Sequence, residues 1–281
     1  MKKLISKYLV SKAALALGFS CMMLGGLVHA QAIGPDPTAA SLAADGPFAV
    51  STQTIGSGGG FAGGTVYSPN TAGKYAVVAF CPGFTNTQSA VQPLGRRLAT
   101  HGFVVVTMNT NSTLDYPASR ATQIIAALNR VTALTTGPVA GKMDTTRRVA
   151  SGYSMGGGGA LIAAKNNPSL KAAVSFAPWS DDKNFSNDTV PAAMIAGSSD
   201  TTAPPASHAT TFYDSIPSST KKLLAIISGA THSFPTASTP NQPGSMYQIS
   251  WVKRFADNDA RYSPFLVTDS RLSSFRSNGP F

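Results

Sequence analysis

Residues Val149-Ala150-Ser151-Gly152-Tyr153-Ser154-Met155-Gly156-Gly157-Gly158-Gly159-Ala160-Leu161 place one serine between two glycines, after an apolar run and before another. A hydroxyl is a weak nucleophile unless a tight turn presents it to a base, and flanking glycines make such a turn sterically possible. Gly-x-Ser-x-Gly by itself is a common spacing. Here Val149-Ala150-Ser151 reads as the end of a strand, and Met155 to Asn166 reads as a helix. Four consecutive glycines would each cost a free helix about 1 kcal/mol relative to alanine. Something must require close backbone approach at that point.

Outward from this turn the pattern is regular. Phe48–Ile55 and Phe61–Tyr67 flank a Gly/Ser cluster and predict an antiparallel hairpin. Tyr75–Cys81 and Phe103–Met108 are short apolar runs bounded by turn residues, as buried parallel strands are. Further strands are predicted at Arg148–Gly152, Ala172–Phe176, Ala192–Gly197 and Leu223–Ser228. Helices are predicted at Ser119–Leu134, Pro205–Ser215 and Met246–Asn258. Alternation of this kind gives a mostly parallel sheet with helices on both faces, the α/β class. Its site lies at the carboxyl ends of the strands. Chemistry is therefore expected in the loops after Cys81, Gly152, Phe176, Gly197 and Ser228.

The inventory of acids and bases is short. All twelve acidic residues are aspartate, and beyond His29 the histidines are His101, His208 and His232. A strand-turn-helix serine in this class is the nucleophile elbow of the α/β-hydrolase fold, where the triad runs Ser…Asp…His along the chain. His101 precedes a strand, at the wrong end of the sheet, and reads as a surface or cap residue. His208 falls inside a predicted helix. His232, in the loop after the last predicted strand, is the general base beside the nucleophile Ser154. Asp200 closes the strand before it and is the orienting acid, with Asp181 and Asp182 as competitors one strand earlier. One oxyanion donor is the N–H of Met155; the other comes from Pro82-Gly83-Phe84-Thr85, with Phe84 the candidate.

The N-terminus is an address. Lys2, Lys3, Lys7 and Lys12 precede an apolar run from Ala13 to Val28, and small residues follow at Ala30 and Ala32. The expectation is a signal peptide over residues 1–30, cleavage after Ala30 or Ala32, and secretion of one catalytic domain over 31–281. A membrane anchor, for which the run is short, and lipidation at Cys21 are the alternatives. The net charge of +10 becomes +6 without the four leader lysines. Cys81 is then alone and cannot form an internal disulfide. Only 12% of residues are charged, and the basic pairs are scattered, which excludes the dense basic stripe of a nucleic-acid binder.

At these residues the chain resembles the bacterial cutinase-like polyester hydrolases, the family that includes the poly(ethylene terephthalate) hydrolases. The similarity runs from Gly34-Pro35-Asp36-Pro37-Thr38, through Gly83-Phe84-Thr85 and Asn109-Thr110-Asn111-Ser112-Thr113-Leu114-Asp115, to Arg261-Tyr262-Ser263-Pro264-Phe265. Ser154 to Gly159 and Ala177-Pro178-Trp179 carry it most specifically. The resemblance implies that Phe84 and Trp179 are aromatic walls of a substrate cleft and that Met155 lies between them. It places Tyr153 where family members often have histidine or tryptophan, and His208 where a histidine packs beneath Trp179. No cofactor site and no metal-ligand set is read from the sequence. Family members often carry a C-terminal disulfide, for which this chain has no cysteine.

About fifteen polar residues, Ala177 to Pro191, separate two predicted strands where many lipases insert a helical lid. The cleft should therefore be open. The expectation is a monomeric ester or polyester hydrolase working through an acyl-enzyme, without a membrane span after leader removal. A general lipase or arylesterase and a catalytically silent surface-binding hydrolase fold are the rivals. A dienelactone hydrolase would want a cysteine at Ser154.

Overall fold

The computed structural model describes residues 32–281. The leader over residues 1–30 and the Cys21 alternative lie outside the described residues. The chain forms one nine-stranded sheet in the order β1-β2-β4-β3-β5-β6-β7-β8-β9. Strands β3 (Tyr75–Cys81), β4 (Val104–Met108), β5 (Met143–Tyr153), β6 (Ala172–Phe176), β7 (Ala192–Gly197) and β8 (Lys222–Ile227) run parallel. Together with the serine turn described below, this is the α/β-hydrolase fold.

Both faces of this sheet are covered, so its central strands are apolar throughout. Val77, Ala79 and Cys81 face α3 (Pro117–Thr132) and α4 (Met155–Asn166), while Ala76, Val78 and Phe80 face α2 (Gln92–Thr100) and α6 (Gln242–Ala256). Period-two alternation within one strand thus feeds two cores. The antiparallel strands sit at the edges. β1 (Val50–Ile55) and β2 (Gly64–Pro69) form the expected hairpin, and β9 (Leu272–Ser277) borders β8 at the far edge.

The expected boundaries shift for identifiable reasons. The second hairpin strand starts at Gly64 rather than Phe61, because Phe61 is drawn into the core and Gly63 turns at φ +77. β5 begins five residues before Arg148; its Asp144-Thr145-Thr146-Arg147 start is polar and half-exposed, so it carries no strand pattern. The expected helix at Pro205–Ser215 is two pieces, a 3-10 turn at Pro205–Ser207 and α5 (Ala209–Ser215), broken at His208. β9 escaped the sequence reading because it is a polar edge strand. Among the described residues no helix is long and apolar enough to cross a membrane.

The amino-terminal ends of the strands are secured by charge. Lys253 of α6 is fully buried, with its Nζ 3.0 Å from Asp257 Oδ2 and over the Phe103 ring. Arg147 of β5 donates to the other oxygen of Asp257. Arg261 extends the cluster to Asp259 and to Asp36 of the N-terminal arm. Asp257→Asn would leave Lys253 buried without its carboxylate, and removal of one partner from a buried pair costs about 3–5 kcal/mol. Urea unfolding should show a loss of that size.

Candidate active site

Ser154 sits at the β5–α4 turn with φ +56 and ψ −120, a conformation that non-glycine residues hold only when the surroundings impose it. Its N–H donates to the Phe176 carbonyl at 2.9 Å, and its carbonyl accepts from Gly158 and Trp179, both at 3.0 Å. The glycines explain themselves here. A Cβ on Gly152 would lie 2.1 Å from the Gly156 oxygen, one on Gly156 2.3 Å from the Pro82 oxygen, and one on Gly158 2.1 Å from the Trp179 oxygen. The end of β5 and the loops after β3 and β6 therefore close onto the first turn of α4, and side chains are excluded.

His232, in the loop after β8, reaches this serine: its Nε2 is 2.9 Å from Ser154 Oγ. Its Nδ1 is 2.8 Å from Asp200 Oδ2. The other Asp200 oxygen accepts from the N–H groups of Thr202 and Ala203, at 2.9 and 2.7 Å. The carboxylate is only 4% exposed, so its charge is held by these donors and the imidazole, not by water. Tyr153, itself 5% exposed, packs its ring 5.2 Å from that of His232. It rests against the His232 imidazole and leaves little of its own surface exposed.

The competitors are elsewhere. Asp182 pairs with Lys165 near the far end of α4, and Asp181 is exposed. His101 is the C-cap of α2, as the cap reading expected. It is buried, not superficial, and burial pushes its pKa down to about 4.

The loop after β3 lies directly on Ser154. A Cβ on Gly83 would come within 3.0 Å of Ser154 Cβ and 3.1 Å of the Tyr153 ring. Among the described residues, neither the Phe84 N–H nor the Met155 N–H donates to a protein acceptor. Two donors without a protein acceptor thus stand next in the chain to Ser154 itself and to Gly83, which packs on it. Phe84 is 41% exposed, and Trp179, on the loop after β6, is half-buried. Beneath Trp179 lies His208, ring centroids 5.7 Å apart, with Nδ1 accepting from Lys183 Nζ at 2.8 Å. Burial, reinforced by the Lys183 charge, pushes the His208 pKa down to about 4. Residues 177–191 contain no helix, so that segment forms no helical lid.

Sequence reasoning missed one side of this trough. Tyr116 meets Trp179 edge-on at 6.0 Å, and both Tyr116 and Leu114 are exposed. They stand on the loop after β4, which ends at the same sheet edge and should have joined the other five. Two exposed apolar residues at a strand's carboxyl end were the available signal.

The family model described as PET hydrolase-like matches residues 28–279. The chain belongs to that family. It is 44% identical over 257 residues to Cutinase 1 of Thermobifida cellulosilytica, covering 88% of this chain and 97% of that protein. A Cutinase of Thermobifida fusca is also 44% identical, over 88% of this chain and 85% of its own length. The bis(hydroxyethyl) terephthalate hydrolase of Streptomyces coelicolor is 43% identical over 256 residues, 88% of this chain and 81% of that protein. Membership makes the chain a carboxylic ester hydrolase.

His208 also gives a pH prediction. Its folded pKa of about 4 lies below the ordinary 6.5, so the unfolded chain binds the extra proton first. The His208 contribution is complete above about pH 6.5 and is lost as pH falls toward about 4. His208→Ser should therefore flatten part of the stability loss between these limits, as read from denaturation midpoints across pH.

Proposed function

We propose that this chain is an exported polyester hydrolase in which Ser154, His232 and Asp200 act as one catalytic unit. The observation that supports this best is the continuous hydrogen-bonded series Ser154–His232–Asp200 beside two unpaired N–H groups. His232 Nε2 takes the Ser154 proton as Oγ attacks the ester carbonyl carbon. The carbonyl oxygen gains charge and is received by the N–H groups of Phe84 and Met155. The imidazolium, stabilised by Asp200, then protonates the leaving alkoxide, and the acyl group stays on Ser154. Water, activated by His232, releases the acid by the reverse path. Asp200 does not take the proton; its bond to Nδ1 holds the tautomer in which Nε2 can accept.

Substrate class follows from the walls. Phe84 and Trp179 would form the walls of an open cleft over Met155, and Tyr116, which meets Trp179 edge-on, would extend one of them. A flat aromatic or aliphatic acyl unit fits between such faces, and a chain longer than one unit can run on past Tyr116. Relatives named as cutinases and as a bis(hydroxyethyl) terephthalate hydrolase support polyester segments as substrate over single triglycerides. The N-terminal leader pattern supports export, with residues 31–281 as the working monomer.

Ser154→Ala and His232→Ala should each abolish hydrolysis of p-nitrophenyl butyrate almost completely, since such residues act as a unit. Asp200→Asn should lower kcat on the order of 10⁴-fold. Near-normal turnover in Asp200→Asn, with loss in Asp181→Asn or Asp182→Asn, would move the acid to the earlier loop. Aromatic contacts contribute about 0.5–1.5 kcal/mol each beyond burial. Trp179→Ala should thus reduce polyester-film hydrolysis several-fold more than p-nitrophenyl butyrate turnover. Equal losses on both substrates would make Trp179 a structural residue.

A further inference from the structure

Arg120, in the first turn of α3, is fully buried beside the Cys81 thiol, and its three hydrogen bonds to oxygen all go to main-chain carbonyls. Its Nε donates to the Asp115 carbonyl at 2.7 Å, Nη1 to Pro82 at 3.1 Å and Nη2 to Thr113 at 2.8 Å. Burying a cation without a carboxylate in contact is costly. A leucine or methionine would fill the space between α3 and the sheet without that cost. The fork does something that an apolar side chain cannot: it joins the loop after β3 to the loop after β4.

The points it grips bracket Phe84. Pro82 is two residues before it, and the Pro82 oxygen is also pressed against the bare Cα of Gly156. Thr85 is one residue after it, and its N–H donates at 2.8 Å to the same Thr113 carbonyl that Arg120 holds. Thr85 has φ +60, so the loop is kept in a conformation it would leave if released. Gly159 of α4 touches the Arg120 Cβ, which ties the clamp to the helix that carries the nucleophile.

We propose that Arg120 is a positioning residue of the oxyanion hole, its buried guanidinium fixing the Phe84 N–H through the carbonyls of Pro82 and Thr113. This rests on Ser154 as nucleophile and on Phe84 as an oxyanion donor. Arg120 touches neither substrate nor Ser154; it sets where the donor stands when the tetrahedral oxygen appears.

Arg120→Met and Arg120→Lys test it, with competent sites counted by phosphonate titration of Ser154 so that misfolded molecules do not enter the rate. Misplacing a catalytic group by about 1 Å can cost 10²-fold, so kcat per titrated site on p-nitrophenyl butyrate should fall about 10- to 100-fold. KM should stay within about twofold, because the ground-state ester leans little on the hole. Butaneboronic acid, whose adduct with Ser154 is tetrahedral and anionic, should weaken by a factor similar to the kcat loss. Lysine keeps the charge but not the fork, so Arg120→Lys should regain melting temperature without regaining kcat. If neither variant folds, Thr85→Pro removes the N–H that donates to Thr113 and cannot hold φ +60, so it releases the same loop from the solvent side and should lower kcat at constant KM. A kcat per site within twofold of the parent, a kcat loss without loss of boronate affinity, or full recovery in Arg120→Lys would overturn the role. Turnover retained in Ser154→Ala would instead overturn the nucleophile on which it rests.

Discussion

Close contact between bare glycine backbone and three carbonyl oxygens holds the site together. At Gly152, Gly156 and Gly158, an oxygen occupies the place where a methyl group would have to go. These contacts let the loops after β3 and β6 lie on the first turn of α4, which brings the Met155 N–H, the Phe84 N–H and the Trp179 ring to one serine. The helix gives up about 1 kcal/mol of propensity per glycine relative to alanine. It recovers that through burial, since all four glycines and the Ala160–Ala164 segment are enclosed between the sheet and α3. The unusual φ of Ser154 belongs to the same construction, pinned by its N–H on Phe176 and its carbonyl under Trp179.

Much of this was legible beforehand, because the chain has few residues able to do acid-base work. With no glutamate and three candidate histidines, loop position at the sheet edge was enough to choose His232 and Asp200. The Gly157-Gly158-Gly159 run demanded close approach, and the structure identifies the approaching atoms as Ser175 Oγ, the Trp179 oxygen and the Arg120 Cβ. What stayed hidden has a common cause. Tyr116 and Arg120 function through partners distant in sequence, and neither residue type nor spacing announces which carbonyl a buried arginine will meet. β9 and the start of β5 were hidden for the opposite reason: polar edge positions carry no periodic signal.

Charge is used differently at the two ends of the sheet. At the amino-terminal end, Lys253, Asp257 and Arg147 form a buried cluster, and Arg261 carries it to the arm through Asp36. These contacts fix α6, β5 and the N-terminal arm to one another. At the carboxyl end, Asp200 is held by two peptide N–H groups and the His232 ring, with no lysine or arginine in contact among the described residues. That leaves its field directed at His232, where, in the proposed mechanism, it would stabilise the imidazolium formed as Ser154 is acylated.

The separation has a consequence for an open site. Trp179 and Phe84 stand on loops open to solvent, and a wall that meets polymer segments of varying shape benefits from some freedom. The catalytic atoms do not. Triad geometry must hold to within a fraction of an ångström, and displacement of a positioned group is penalised steeply. The two demands are met because the walls and the donors are anchored at different depths. Side chains at the rim rest on one another, Trp179 on His208 and Tyr116. The backbone beneath them is locked by the glycine contacts of α4 and by the three carbonyls that Arg120 gathers. A ring can tilt at the surface without moving the N–H three bonds below it, and an exposed cleft can thereby combine adaptable walls with a fixed backbone.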